Sequence, residues 1–167
     1  MIDGNFFTSN GLRSLMDDDP AELKSFTVLK ASASEFPALT GQSVSFAVLF
    51  PPGSVNPPHT QPRSVEQLFS IDGILDVGFV DSKNKLYTQT LQPVCIFVFP
   101  KGLVHFQHCK GKDSAVAVSA FGSASAGIVS IPGTGFGAGI DDEVLAKSFK
   151  TDVPTVQKVK TGLAPKA

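Results

Sequence analysis

From Val44 onward the chain is a succession of short apolar runs broken by turn residues. Ser43-Val44-Ser45-Phe46-Ala47-Val48-Leu49-Phe50 alternates small or polar with apolar side chains, the period of a half-buried strand, and Pro51-Pro52-Gly53 stops it. Residues 74–80 form a second β-rich run, closed by the turn sequence Asp81-Ser82-Lys83-Asn84. Runs at 85–91 and 95–99 follow, then a tight turn at Pro100-Lys101-Gly102, a returning strand at 103–107 and a further one at 115–120. Strands this short and this regularly punctuated by Gly and Pro predict an all-β sandwich or barrel. Beyond it the period becomes helical. Asp141 is placed to cap a helix carrying Val144, Leu145 and Phe149, with Asp142 and Glu143 in its first turn. Asp152 is placed to cap a second, with Pro154 near its start and Val156 and Val159 on one face. Two short helices bury little alone, so they are expected to pack on a neighbouring subunit. The glycine-rich stretch 131–139 reads as a flexible surface connection, since it lacks the Lys-Ser/Thr of a phosphate loop. The organisation expected is a barrel with an N-terminal extension over 1–140 and a helical segment over 141–167, within one domain.

Composition narrows the function. The 167 residues are 42% hydrophobic, with 14 basic and 15 acidic side chains and no basic run. That is too apolar for a disordered segment and too neutral to grip nucleic acid through its phosphates. No apolar stretch reaches the ~18–20 residues of a membrane-spanning helix, so neither nucleic acid nor membrane is expected as a partner. Fourteen Phe, one Tyr and no Trp describe a dry core. The chain opens Met1-Ile2-Asp3-Gly4, without the basic and then apolar run of a secretory signal. Cys95 and Cys109 are too few for a disulfide framework and wrongly spaced for zinc. A fold-back at Lys101-Gly102 would bring Cys95 near His108 or Cys109, which leaves open a cross-strand disulfide or two buried free thiols.

The chemistry-bearing residues are few. His59 and Gln61 lie two apart and share one strand face, Glu66 follows a Pro-containing stretch, and His105 lies just past the turn at 100–102. Two imidazoles and a carboxylate converging inside a barrel make a mixed N/O site for a divalent metal. His108 has the opposite parity to His105 and is expected on the outer face. Cys109 is four residues along, roughly 13 Å at ~3.3 Å per residue, out of reach of a metal held by His105.

These residues also resemble the germin-like proteins of plants, in the cupin superfamily. The first germin motif runs Gly, five residues, His-x-His, three or four residues, Glu, six residues, Gly; here it is carried by Gly53, His59, Gln61, Glu66 and Gly73. The second runs Gly, five residues, Pro-x-Gly, two residues, His, three residues, Asn; here it is carried by Val94, Pro100, Gly102, His105 and Cys109. The resemblance implies a cupin jelly-roll barrel with short C-terminal helices, secreted to the plant cell-wall space and assembled as a homo-oligomer, a trimer or hexamer. It implies manganese, or another divalent metal, on His59, Glu66 and His105, with Gln61 where a third His belongs. An amide oxygen is a weaker and harder donor than imidazole. The metal is then weakly bound, or absent, or the pocket is retuned for another reaction. Val94 in place of Gly suggests a less sharply turned approach to its strand, and Cys109 replaces the closing Asn. The family's paired N-terminal cysteines would lie before the start of this chain.

On these grounds the expected function is binding or transformation of a small metabolite in a Phe-lined barrel. Glu66, His59 and His105 would do acid–base chemistry of a cyclisation or isomerisation type. The alternatives are a manganese-dependent redox protein or a non-catalytic cell-wall, receptor-like or storage protein. Of the redox reactions, superoxide dismutation is favoured over oxalate oxidation, because the third His and the closing Asn are both missing.

Overall fold

A computed structural model of the protein describes residues 3–12 and 25–164. Those residues form two five-stranded antiparallel sheets packed face to face as a jelly roll. One sheet runs β1 (Thr27–Ala31), β2 (Val44–Phe50), β9 (Ala115–Phe121), β4 (Glu66–Asp72) and β7 (Ile96–Phe99). The other runs β10 (Val129–Ser130), β3 (Val55–Thr60), β8 (Val104–His108), β5 (Leu75–Val80) and β6 (Leu86–Leu91). The chain crosses between the sheets at its Pro/Gly turns. At Gly73, which has φ +74°, an added Cβ would lie 2.3 Å from the Ser114 carbonyl oxygen, so only glycine fits this crossing.

Period-two burial sets which side chains enter the barrel. In β8 only His105 and Gln107 are buried, and in β9 Ala115, Ala117, Ser119 and Phe121 point inward. A one-residue slip would send each set to solvent, so the apolar pattern pins the register. The main core packs Phe50, Leu68, Leu75, Val77, Leu91 and Phe99 between the sheets.

Three expectations are corrected. The turn at 100–102 does not close a hairpin: β7 pairs with β4, whereas β8 pairs with β3 and β5 in the opposite sheet. Cys95 and Cys109 are accordingly free thiols, and burial pushes the Cys109 thiol pKa up. The glycine-rich stretch is not a loop throughout, because Ile131–Gly137 is a helix, α1. Ser130 caps it by accepting from the Gly133 amide, Pro132 sits in its first turn, and it packs on β3. Val94 does not relax its turn: it takes the left-handed conformation itself, at φ 68°. The C-terminal helices bury apolar side chains against one another as well. In α2 (Asp142–Phe149), capped by Asp141, Leu145 and Ala146 are buried; in α3 (Val153–Leu163), capped by Asp152, Val156 is. The three pack with Phe136 of α1 and with Val153, while Val144 and Phe149 stay exposed. Residues 13–24 and 165–167, which fall within the expected N-terminal extension and helical segment, lie outside the described residues.

Candidate metal centre

The barrel brings His59, Glu66 and His105 together from three strands. His59 and His105 are directly opposite partners on β3 and β8, with ring centroids 4.2 Å apart. The register of β3 shifts between Asn56 and His59, across Pro57 and Pro58, which have no amide hydrogen to give to the ladder. Glu66 opens β4 on the facing sheet. Phe99 stacks on the His105 ring at 4.4 Å and covers it. All three side chains are buried, and Gln61, immediately after β3, is buried with them.

Hydrogen bonding decides where each lone pair points. His59 Nδ1 lies 2.8 Å from the Pro57 carbonyl oxygen, and His105 Nδ1 lies 2.8 Å from that of Leu103. A carbonyl oxygen only accepts, so each Nδ1 carries the ring's N–H and donates it outward. In the neutral rings both Nε2 lone pairs then face the interior, the arrangement that orients metal-ligating imidazoles. Glu66 Oε1 accepts from the Ser119 hydroxyl at 2.5 Å, and Oε2 lies 3.1 Å from His105 Nε2. Two lone pairs at that distance repel unless a proton or cation lies between them. Burial, then the neighbouring His105, pushes the His59 pKa down, against the opposing pull of the Pro57 carbonyl and Glu66. This favours the neutral ring that a metal needs.

Gln61 adds a fourth feature, since its Oε1 is buried with no hydrogen-bond partner. An unpaired buried amide oxygen is costly, and a cation in the same cavity would satisfy it. Among the described residues, His59, Glu66 and His105 form the one group whose ligand atoms lie together, within 4.8 Å of one another. Two imidazole nitrogens, a carboxylate oxygen and an amide oxygen suit a first-row divalent ion.

The cavity over His59, Gln61 and Glu66 is small, about 80 Å³, and is walled by Phe26, Phe46, Phe50 and Leu68. Asn56 donates to Gln107 at 2.7 Å on another wall. That room suits a compact ligand of a few heavy atoms and falls short of the ~300 Å³ of a typical drug-sized pocket. His108 lies apart on the outer face of β8, in an open groove with Asp76 and Thr90. Ser119, Asn56 and Gln107 are site residues that spacing alone did not reveal. For Ser119 a signal exists: it is the one polar side chain on the inward face Ala115, Ala117, Ser119, Phe121.

Comparison with known proteins agrees with this fold. The cupin family pattern matches residues 18–157. Germin-like protein 9-3 of Oryza sativa subsp. japonica is 60% identical over 168 residues, covering 98% of this chain and 78% of that protein. Nectarin-1 of Nicotiana plumbaginifolia is 44% identical over 141 residues, covering 83% of this chain and 62% of that protein. A solved structure of oxalate oxidase in complex with the substrate analogue glycolate superposes with a TM-score of 0.88 at 32% identity. The match covers 97% of this chain and 83% of that one.

Proposed function

The chain belongs to the plant germin-like proteins of the cupin family, and from that premise we propose that it binds a divalent metal ion and a compact small molecule together inside the barrel. His59, Glu66 and His105 would hold the ion, with the Gln61 amide oxygen as a further donor. The observation that carries this reading is the convergence of two outward-tied imidazoles, a buried carboxylate and an orphaned amide oxygen on one cavity. A bound divalent ion supplies Lewis acidity, polarising an oxygen of the ligand.

The chain's own groups supply the rest. Glu66 Oε2 is the carboxylate oxygen left to the cavity side, because Ser119 occupies Oε1; it would ligate the ion when one is bound and accept a proton only in the metal-free centre. The Phe wall excludes water, which strengthens every polar contact made inside. Proton transfer of the isomerisation type on a compact molecule fits a cavity of about 80 Å³ better than cyclisation of a large one. Manganese is the ion implied by the germin resemblance. That resemblance also supports secretion to the apoplast and a homo-oligomer, a trimer or hexamer, in which 1–140 and 141–167 act as one domain. Exposed Val144 and Phe149 on α2 offer apolar surface for such contacts.

A second reading, manganese-dependent redox chemistry, is favoured by the likeness to oxalate oxidase. Gln61 stands against a simple transfer of that activity, since an amide oxygen in place of an imidazole changes the ion's potential. The test is metal analysis after equilibrium dialysis against manganese. Stoichiometric binding is expected in the native protein, with loss in His59→Ala and Glu66→Ala. Metal uptake by the native chain no greater than by these variants overturns the proposal. Superoxide or oxalate turnover by the loaded protein moves the assignment to the redox reading.

A further inference from the structure

β9 turns four side chains inward, Ala115, Ala117, Ser119 and Phe121, and three of them are apolar. A hydroxyl on such a face is costly unless it is paired. Ser119 is 2% exposed, lies between Phe46 of β2 and Leu68 of β4 in the register, and gives its one proton to Glu66 Oε1 at 2.5 Å. Glu66 pairs with Phe121, so Ser119 is its diagonal neighbour on the same face. The two carboxylate oxygens are thereby divided: Oε1 is held by β9, and Oε2 faces His105.

We propose that Ser119 is a positioning residue that sets which ions the centre accepts. Resting on the metal-binding reading above, it keeps Glu66 to one offered oxygen. A calcium ion takes six to eight oxygen ligands and commonly both oxygens of a carboxylate, whereas first-row ions are content with one oxygen among imidazoles. With Oε1 held on Ser119, the centre offers too few oxygens for calcium and a full set of nitrogen and oxygen donors for a first-row ion. Removal of the hydroxyl frees Oε1, lets the carboxylate rotate, and relaxes that discrimination.

The test follows cobalt(II) binding by its visible absorption, in competition with calcium, for the native protein, Ser119→Ala and Ser119→Thr. Ser119→Ala is expected to lower cobalt affinity by about 10- to 100-fold, the usual range for loss of a group that orients a ligand. It should also alter the cobalt spectrum and shift the cobalt-to-calcium preference toward calcium, while Ser119→Thr, which keeps the hydroxyl, restores all three. Ser119→Val, matched in shape to Ser119→Thr but without the hydroxyl, is expected to behave as the alanine variant and replaces it if alanine fails to fold. An unchanged spectrum and preference in Ser119→Ala overturns the proposal and leaves the metal reading standing. Equal shifts in Ser119→Ala and Ser119→Thr also overturn it, since packing alone would then explain them. A native protein that binds no cobalt fails the metal reading itself, and this inference with it.

Discussion

The two ends of the barrel interior are buried alike and differ in what burial does to them. At one end Leu75, Val77, Leu91 and Ala115 fill the space between the sheets, and none of their side chains has a polar atom to satisfy. At the other, His59, Gln61, Glu66, His105, Gln107 and Ser119 are equally hidden from water. The apolar end stabilises the fold by about 25 cal/mol per Å² of apolar surface removed from water. The polar end works against it: a carboxylate, two inward lone pairs and an orphaned amide oxygen are desolvated with incomplete pairing. A fold that carries such a cluster is supported elsewhere, and a cation bound only by the native state would offset the deficit. The two sets are nonetheless neighbours, since Val77 of β5 is the register partner of Gln107 of β8.

Two perturbations probe that division, the stronger first, and a third tests a strained turn outside it. Leu75→Ala removes a fully buried side chain from the apolar end and is expected to cost about 2–5 kcal/mol. Chemical unfolding with and without manganese should show the same loss in both, because this end does not touch the ion. A loss that vanishes on metal addition would mean that the two ends are not independent.

Acidification should act on the polar end. The His59 pKa is lower in the folded chain than the ordinary imidazole value, with burial the main cause. The unfolded chain therefore takes up a proton first as pH falls, and stability declines through the window below about 6.5. One proton contributes at most about 1.4 kcal/mol per pH unit. Urea unfolding of metal-free protein between pH 7.5 and 5.5 reads the slope, which His59→Gln should flatten; metal affinity should weaken over the same range, since protons compete for the imidazoles. An unaltered slope in His59→Gln would remove His59 from the account.

The smallest effect belongs to neither end. Val94 is β-branched, has φ 68° and is 74% exposed, so strain in its turn is not offset by packing. Val94→Gly should stabilise by about 1 kcal/mol, the relief of strain less the added freedom of the unfolded chain. Differential scanning calorimetry reads it, and a lowered melting temperature would show that Val94 makes contacts worth more than its strain.

Much of this was legible beforehand, for identifiable reasons. Period-two runs such as 43–50 and 115–120 became β2 and β9, and Asp141 and Asp152 cap α2 and α3 as their side-chain chemistry predicts. β1 and β4 drew no prediction; in β4, charged residues at both ends, Glu66 and Asp72, bracket the alternation. In α1 the glycines outweighed the Ser130 cap and Pro132, the two local signals that start a helix there. The turn at 100–102 misled because tight turns look the same whether they join strands within a sheet or across two. His59, Glu66 and His105, which the structure brings together, were singled out by strand parity and by their resemblance to a family motif, and Gln61 by its departure from that motif.

What the sequence alone determined is the inventory: which residues alternate, where chains turn, and which few side chains carry nitrogen or oxygen into an apolar interior. Those properties are local, set by backbone sterics and by the period of the strand. Only the tertiary structure decided that β7 and β8 part to opposite sheets, leaving Cys95 and Cys109 free thiols. It alone brought His105 of β8 and Ser119 of β9 each onto one oxygen of Glu66 of β4. Those contacts join residues up to 53 positions apart, and hydrogen-bond direction depends on the partner that long-range packing supplies.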